Sequence, residues 1–159
     1  MNFYTIGVYG STEESFFEKL TQNKIDTFLD IRNRRGVRGA KYSYVNSKRL
    51  QAKLEELGIK YVYIKDLAPT PEIRQLQKED DKRKGILKRD RSQMGQVFKI
   101  AYKDRILNNF HLDNLLQDLQ KDNSENIVLF CVEEAHTACH RSLVSEKIHK
   151  NYGNQITHL

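Results

Sequence analysis

Two cysteines, two histidines, adjacent glutamates and an arginine fall within the twelve-residue stretch FCVEEAHTACHR, Phe130 to Arg141. Cys139 is placed as a nucleophile at a helix start, where unpaired backbone N–H groups and the helix dipole favour a thiolate. Arg141, two residues on, adds positive charge. Cys131 ends an apolar run and reads more naturally as a small core residue. Glu133, together with Asp30 elsewhere in the chain, supplies a general acid or base where burial raises a carboxyl pKa. Arg141, the helix start at Cys139 and Arg32 make an anion-binding set. The structural alternative for the same residues is a buried Asp30–Arg141 ion pair and a satisfied core histidine at His140.

Other chemistries fit less well. A cysteine phosphatase needs Cys-x5-Arg to wrap a phosphate, whereas nine residues separate Cys131 from Arg141. The zinc-deaminase pattern of His-x-Glu with a later Pro-Cys-x-x-Cys is absent. Cys131, His136, Cys139 and His140 suit zinc in kind. As adjacent helical residues, however, Cys139 and His140 would point about 100° apart. The expectation is therefore no bound metal and no cofactor.

The elements that must position this stretch follow from periodicity. Asn126 to Val132 is a buried-strand run, and Leu143, Val144, Ile148 and Tyr152 follow at helical spacing, with Gly153 as the stop. Earlier strands are expected at Phe3 to Tyr9, Ile25 to Ile31 and Ile59 to Ile64, and a short final one at Gln155 to Leu159. Ser11 with Glu14 matches a capping box ahead of Phe16, Phe17 and Leu20. Leu50, Leu54 and Leu57 form a second helical face, ending at Gly58. Pro71 suits the first turn of a helix. Residues 72 to 91 read as a polar helix plus a mobile link. Two further helical faces are expected at Met94 to Ala101 and Leu112 to Leu119. The alternation predicts a three-layer α/β/α fold with a mainly parallel, Rossmann-like sheet of about five strands. It forms a single domain over residues 1–159, with a charged helical insertion around 71–108. Strand one is expected beside strand four, so that their following turns meet where ligands bind such sheets.

Twenty-seven Lys and Arg against 21 Asp and Glu give a net charge of +6. This balance suits either a polyanionic partner or a solvated basic surface. No apolar run is long enough to cross a membrane, the N-terminus lacks a signal-peptide pattern, and two cysteines make no disulfide framework; these features predict a cytoplasmic protein. From Arg32 to Lys41 (RNRRGVRGAK) the chain has five cations, two glycines and no acid. That composition predicts a mobile loop in which Arg32, Arg34, Arg35 and Arg38 meet phosphates and Tyr42 or Tyr44 stacks on a base.

The TIG of the first strand, LDIR ending the second, GIKY opening the third, and Cys-x-Glu followed by Cys-His-Arg resemble the domain-of-unknown-function family 488. The resemblance runs over nearly the whole chain in the family's order. It implies the same α/β fold and marks Thr5, Gly7, Asp30, Arg32, Cys131, Glu133, Cys139, His140 and Arg141. Family members often carry His-Ser after the first glycine, where this chain has Val8-Tyr9 with Ser11 two residues further on. The family's Arg-Pro-x-Ser-Arg stands here as Arg34-Arg35-Gly36-Val37-Arg38, making Arg38 the counterpart of the last arginine. The family is generally without an established activity, and for part of it the resemblance implies a link to DNA or base modification.

Two function classes follow. One is an enzyme modifying nucleic acid, a nucleotide or another phosphate-bearing substrate, with Asp30, Glu133, Cys139, His140 and Arg141 as catalytic candidates. Thr5, Gly7, Ser11, Arg32, Arg34, Arg35, Arg38 and Tyr44 would bind its substrate. The other is a non-catalytic basic nucleic-acid-binding module in which the Cys-His-Arg cluster is structural. A deep, open site favours the enzyme; a sealed cluster beside a flat basic face favours the module.

Overall fold

Short β-branched and aromatic runs form the strands β1 (Asn2–Ile6), β2 (Thr27–Asp30), β3 (Lys60–Tyr63), β4 (Asn126–Phe130) and β5 (Ile156–His158). They pair in the order β3-β2-β4-β1-β5, and every pairing is parallel. The computed structural model describes residues 1–87 and 91–159. Of the charged segment expected at 72–91, residues 88–90 lie outside the described residues.

Helices cover both faces of the sheet, which is why β2 is buried at every position and β4 at all but its first. On one face, α1 (Glu13–Gln22) and α2 (Ser47–Glu56) set Phe16, Leu20, Leu50 and Leu54 against Phe28, Val128 and Phe130. On the other, α5 (Leu112–Lys121) and α6 (Arg141–Tyr152) pack Leu116, Leu119, Val144 and Ile148 on Phe3, Leu29, Ile127 and Leu129. α3 (Pro71–Lys84) and α4 (Gln96–Tyr102) join this second cluster through Ile73, Phe98 and Tyr102. Each fully buried Leu, Ile or Phe contributes about 1.5–3 kcal/mol by leaving water. The result is the expected three-layer α/β fold, and none of its described helices is long and apolar enough to cross a membrane.

The local signals mark these elements with one shift. Pro71 opens α3 under a Thr70 cap, and Gly85 and Gly153 end α3 and α6 in the left-handed conformation. The box that starts α1, however, is Thr12 with Ser15, one residue later than the Ser11–Glu14 pairing. Ser11 instead donates to the Val8 carbonyl and shares a hydrogen bond with the Tyr44 hydroxyl.

The order of strands positions the site. β1 lies beside β4 as expected, and β4 also pairs with β2, so β4 occupies the centre. The register sets Ile6, Phe130 and Asp30 at one level. The chain therefore leaves all three strands along one edge, through Gly7, Cys131 and Ile31. From there, the segment after β1 enters α1 on one face, and the segment after β4 enters α6 on the other. A crevice opens where they part.

Candidate functional site

The crevice holds a cavity of about 600 Å³ at the carboxyl ends of β2 and β4. Its floor includes Cys131, Cys139 and His140. Its walls carry the cations Arg32, Arg34, Arg38, Arg74, Lys78 and Arg91, against the acids Asp81 and Glu133. Two tyrosines, Tyr9 and Tyr42, also line it, with ring centroids 5.2 Å apart.

Arg32 is fixed by the residue two before it. Its Nε and Nη2 donate to the two oxygens of Asp30 at 2.9 and 2.7 Å, and its backbone N–H adds a third bond. The pair is sealed, at 2% and 0% side-chain exposure. The Arg32 guanidinium lies 4.6 Å from the Phe130 ring centroid, and its Nη1 is buried with no hydrogen-bond partner among the described residues. Asp30 also accepts from the Tyr61 hydroxyl. Asp30 therefore stands behind the cavity as a support for Arg32, and its ion-pair partner is Arg32 and not Arg141.

Arg141 is likewise a structural clasp. It is 1% exposed, and its Nη1 and Nη2 donate to the carbonyl oxygens of Glu133 and Glu134 at 2.5 and 2.8 Å. Gly7 makes room for this arrangement: a Cβ there would stand 2.0 Å from the Glu133 carbonyl oxygen. Thr5, on β1, is bonded to His158, whose ring stacks on His136 at 3.6 Å. Thr5, Gly7 and Arg141 thus shape the strand ends without lining the cavity.

The loop expected to be mobile is tied down. The Ser47 N–H donates to the Arg35 carbonyl, the Asn46 side chain accepts from the Val37 N–H, and the Gly10 N–H donates to the Tyr42 hydroxyl. This geometry sends Arg34 and Arg38 to the cavity, while Arg35 stacks 4.4 Å over the Tyr63 ring. Tyr44 is buried in the core and hydrogen-bonded to Ser11; of the two candidate stacking rings, only Tyr42 reaches the cavity.

At the floor, Cys139 has an extended backbone (φ −135°, ψ 142°), and α6 begins two residues later. The divergence expected of two neighbours on a helix does not arise. His140 Nδ1 lies 3.6 Å from Cys139 Sγ and 3.9 Å from Cys131 Sγ, while its Nε2 meets the Ile31 carbonyl oxygen at 3.0 Å. The three ligand-capable atoms lie within 4.8 Å of one another, all on buried residues. A hydrogen bond to Cys139, burial and the Cys139 charge push the Cys131 thiol well above the usual range. Burial opposes ionisation of Cys139 too. The hydrogen bond from Cys131, with the electrostatic effect of His140 and Arg141, outweighs it and holds the Cys139 thiol well below that range. Glu133 faces the cavity from above, 3.5 Å from Arg91 Nη2. Burial, together with the Glu133 charge, raises the Tyr9 phenol.

Sequence reasoning missed the wall built by α3. Arg74, Lys78 and Asp81 stand at i, i+4 and i+7, one helical face, and that spacing was the available signal. Arg91 completes the wall by bridging Asp81 at 2.9 Å to Glu133.

The family model described as "Domain of unknown function DUF488" matches residues 12–148. The chain belongs to this family. The matched span of the DUF488 protein holds the cavity-lining residues from Arg32 to His140, whereas Tyr9, Thr5 and Gly7 precede it. No curated protein and no solved structure gives a significant match.

Proposed function

We propose that this DUF488 chain, as one α/β unit, binds and acts on a phosphate-bearing ligand, a nucleotide or a nucleic-acid strand, in the cavity at the carboxyl ends of β2 and β4. The observation that carries this reading is the set of six cationic side chains converging on one cavity, whose floor offers thiol and imidazole groups. Arg32 adds a further cationic lining residue, held in place by its two-pronged pair with Asp30. Tyr9 and Tyr42 offer flat faces on which a base stacks. Cys139, His140 and Glu133 all line the cavity, which favours an enzyme over a simple binder. A cytoplasmic, reducing setting suits the two closely placed thiols. The binding-module alternative draws its support from Arg141, which is engaged in holding the Glu133 loop.

The test is fluorescence anisotropy with labelled single-stranded DNA, RNA and nucleotides across a salt series. Binding should weaken with salt. The Arg34→Ala/Arg38→Ala variant should lower both affinity and salt slope, the slope by about 0.7 for each single-strand phosphate no longer neutralised. Equal binding by variant and parent at low salt, or no binding by either, would overturn the reading.

A further inference from the structure

We propose that Cys131, Cys139 and His140 form a zinc-type metal site with three protein ligands, whose fourth position opens into the cavity. The site does not depend on a phosphate-bearing ligand, because it follows from the geometry of three atoms.

Zinc held tetrahedrally at about 2.3 Å from sulfur and about 2.0 Å from nitrogen sets each sulfur–nitrogen edge at about 3.5 Å. The two observed edges are 3.6 Å, from His140 Nδ1 to Cys139 Sγ, and 3.9 Å, from the same nitrogen to Cys131 Sγ. All three atoms lie within 4.8 Å of one another, so a small shift closes the triangle around an ion.

The tautomer of His140 follows from its other contact. A backbone carbonyl only accepts, so the 3.0 Å contact between Nε2 and the Ile31 oxygen requires the proton on Nε2. In the neutral ring Nδ1 then carries the lone pair, and it is Nδ1 that faces both sulfurs. Anchoring the second ring nitrogen on a backbone carbonyl is how metal-binding histidines are oriented. Two thiolates and one imidazole are soft to borderline donors, which select zinc over magnesium or calcium. Two thiolate charges and one divalent ion sum to zero, which lowers the cost of keeping all three ligands buried.

The element placement is what makes the site. Cys131 follows β4, while the short turn His136–Ala138 brings the chain back so that Cys139, in an extended conformation, faces it. All three residues line the cavity, so the remaining coordination position faces the space enclosed by the cationic wall. Three protein ligands plus an open position is the arrangement of catalytic and not structural zinc.

The test uses the full chain, reduced, stripped with chelator and titrated first with Co2+ and then with Zn2+, with no nucleotide or nucleic acid present. One equivalent of Co2+ should produce thiolate-to-cobalt charge-transfer absorption and tetrahedral visible bands, and Zn2+ should bleach both. Cys139→Ser and His140→Gln should each weaken Zn2+ binding by about tenfold or more. Because either variant risks misfolding, the unmutated chain carries a second readout: one equivalent of Zn2+ should slow alkylation of both cysteines by a similar factor, reversed by chelator. Absence of charge-transfer absorption in folded, reduced protein would overturn the site, as would unprotected thiols in saturating Zn2+. Failure of nucleic-acid binding would leave these readouts untouched, so the two readings fail separately.

Discussion

Arg32 and Asp30, two residues apart at the end of β2, form a two-pronged ion pair closed to solvent, and Arg32 faces the cavity from it. The pair converts a strand end into a rigid mount for a cation. A buried guanidinium without its carboxylate is far costlier than an exposed pair is valuable.

Asp30→Ala should accordingly destabilise the protein by about 3–5 kcal/mol, the cost of stranding one partner of a buried pair. Urea unfolding measures it. A loss below about 1 kcal/mol, the scale of an exposed ion pair, would show that Arg32 finds other solvation.

Gly7→Ala should be destabilising by about 1–3 kcal/mol, the range for overpacking. The new Cβ meets a backbone oxygen, that of Glu133, at 2.0 Å, so the backbone must shift to admit it. Gly36→Ala is the control: its Cβ has ordinary contact with Asn46 at 3.6 Å, so its melting temperature should stay close to the parent's. Similar losses in the two variants would refute the close-approach role of Gly7.

Alkaline stability should report Tyr61. Burial and the charge and hydrogen bond of Asp30 push its phenol up to about 12. The unfolded chain releases this proton near about pH 10, so the folded state binds more protons between those values. Stability from this group is complete below about pH 10 and is lost as pH rises through the folded value of about 12. Tyr61→Phe should flatten that part of a urea-midpoint curve against pH. An unchanged slope would remove Tyr61 as its cause.

The layers, strand directions and the meeting of the β1 and β4 ends were legible because apolar periodicity and caps are local signals. Pro71 and Gly153 illustrate this: each marks a helix boundary by its own backbone chemistry. The site was half legible. Glu133, Cys139 and His140 stand out as candidates by residue type, whereas Cys131 reads as a small core residue, and Cys139 reads as helical because its extended conformation depends on the turn His136–Ala138 just before it. Arg32 and Arg141 look alike as cations in the sequence. They separate only in space, since one meets a carboxylate beside the cavity and the other meets two carbonyl oxygens behind it. The wall of α3 stayed hidden because a polar helical face looks the same whether it borders solvent or a cavity.

The central position of β4 bears on how the chain assembles as it is made. β1 and β2 do not pair with each other; each pairs with β4, Asn2 with Asn126 and Thr27 with Ile127. A nascent chain that has emerged only through α5 can join β2 to β3 but has no partner for β1, which must wait for a strand more than a hundred residues downstream. Pairings of such sequence separation form slowly. β1 lacks its neighbours in the sheet until then, and the floor of the cavity is among the last parts of the molecule to exist.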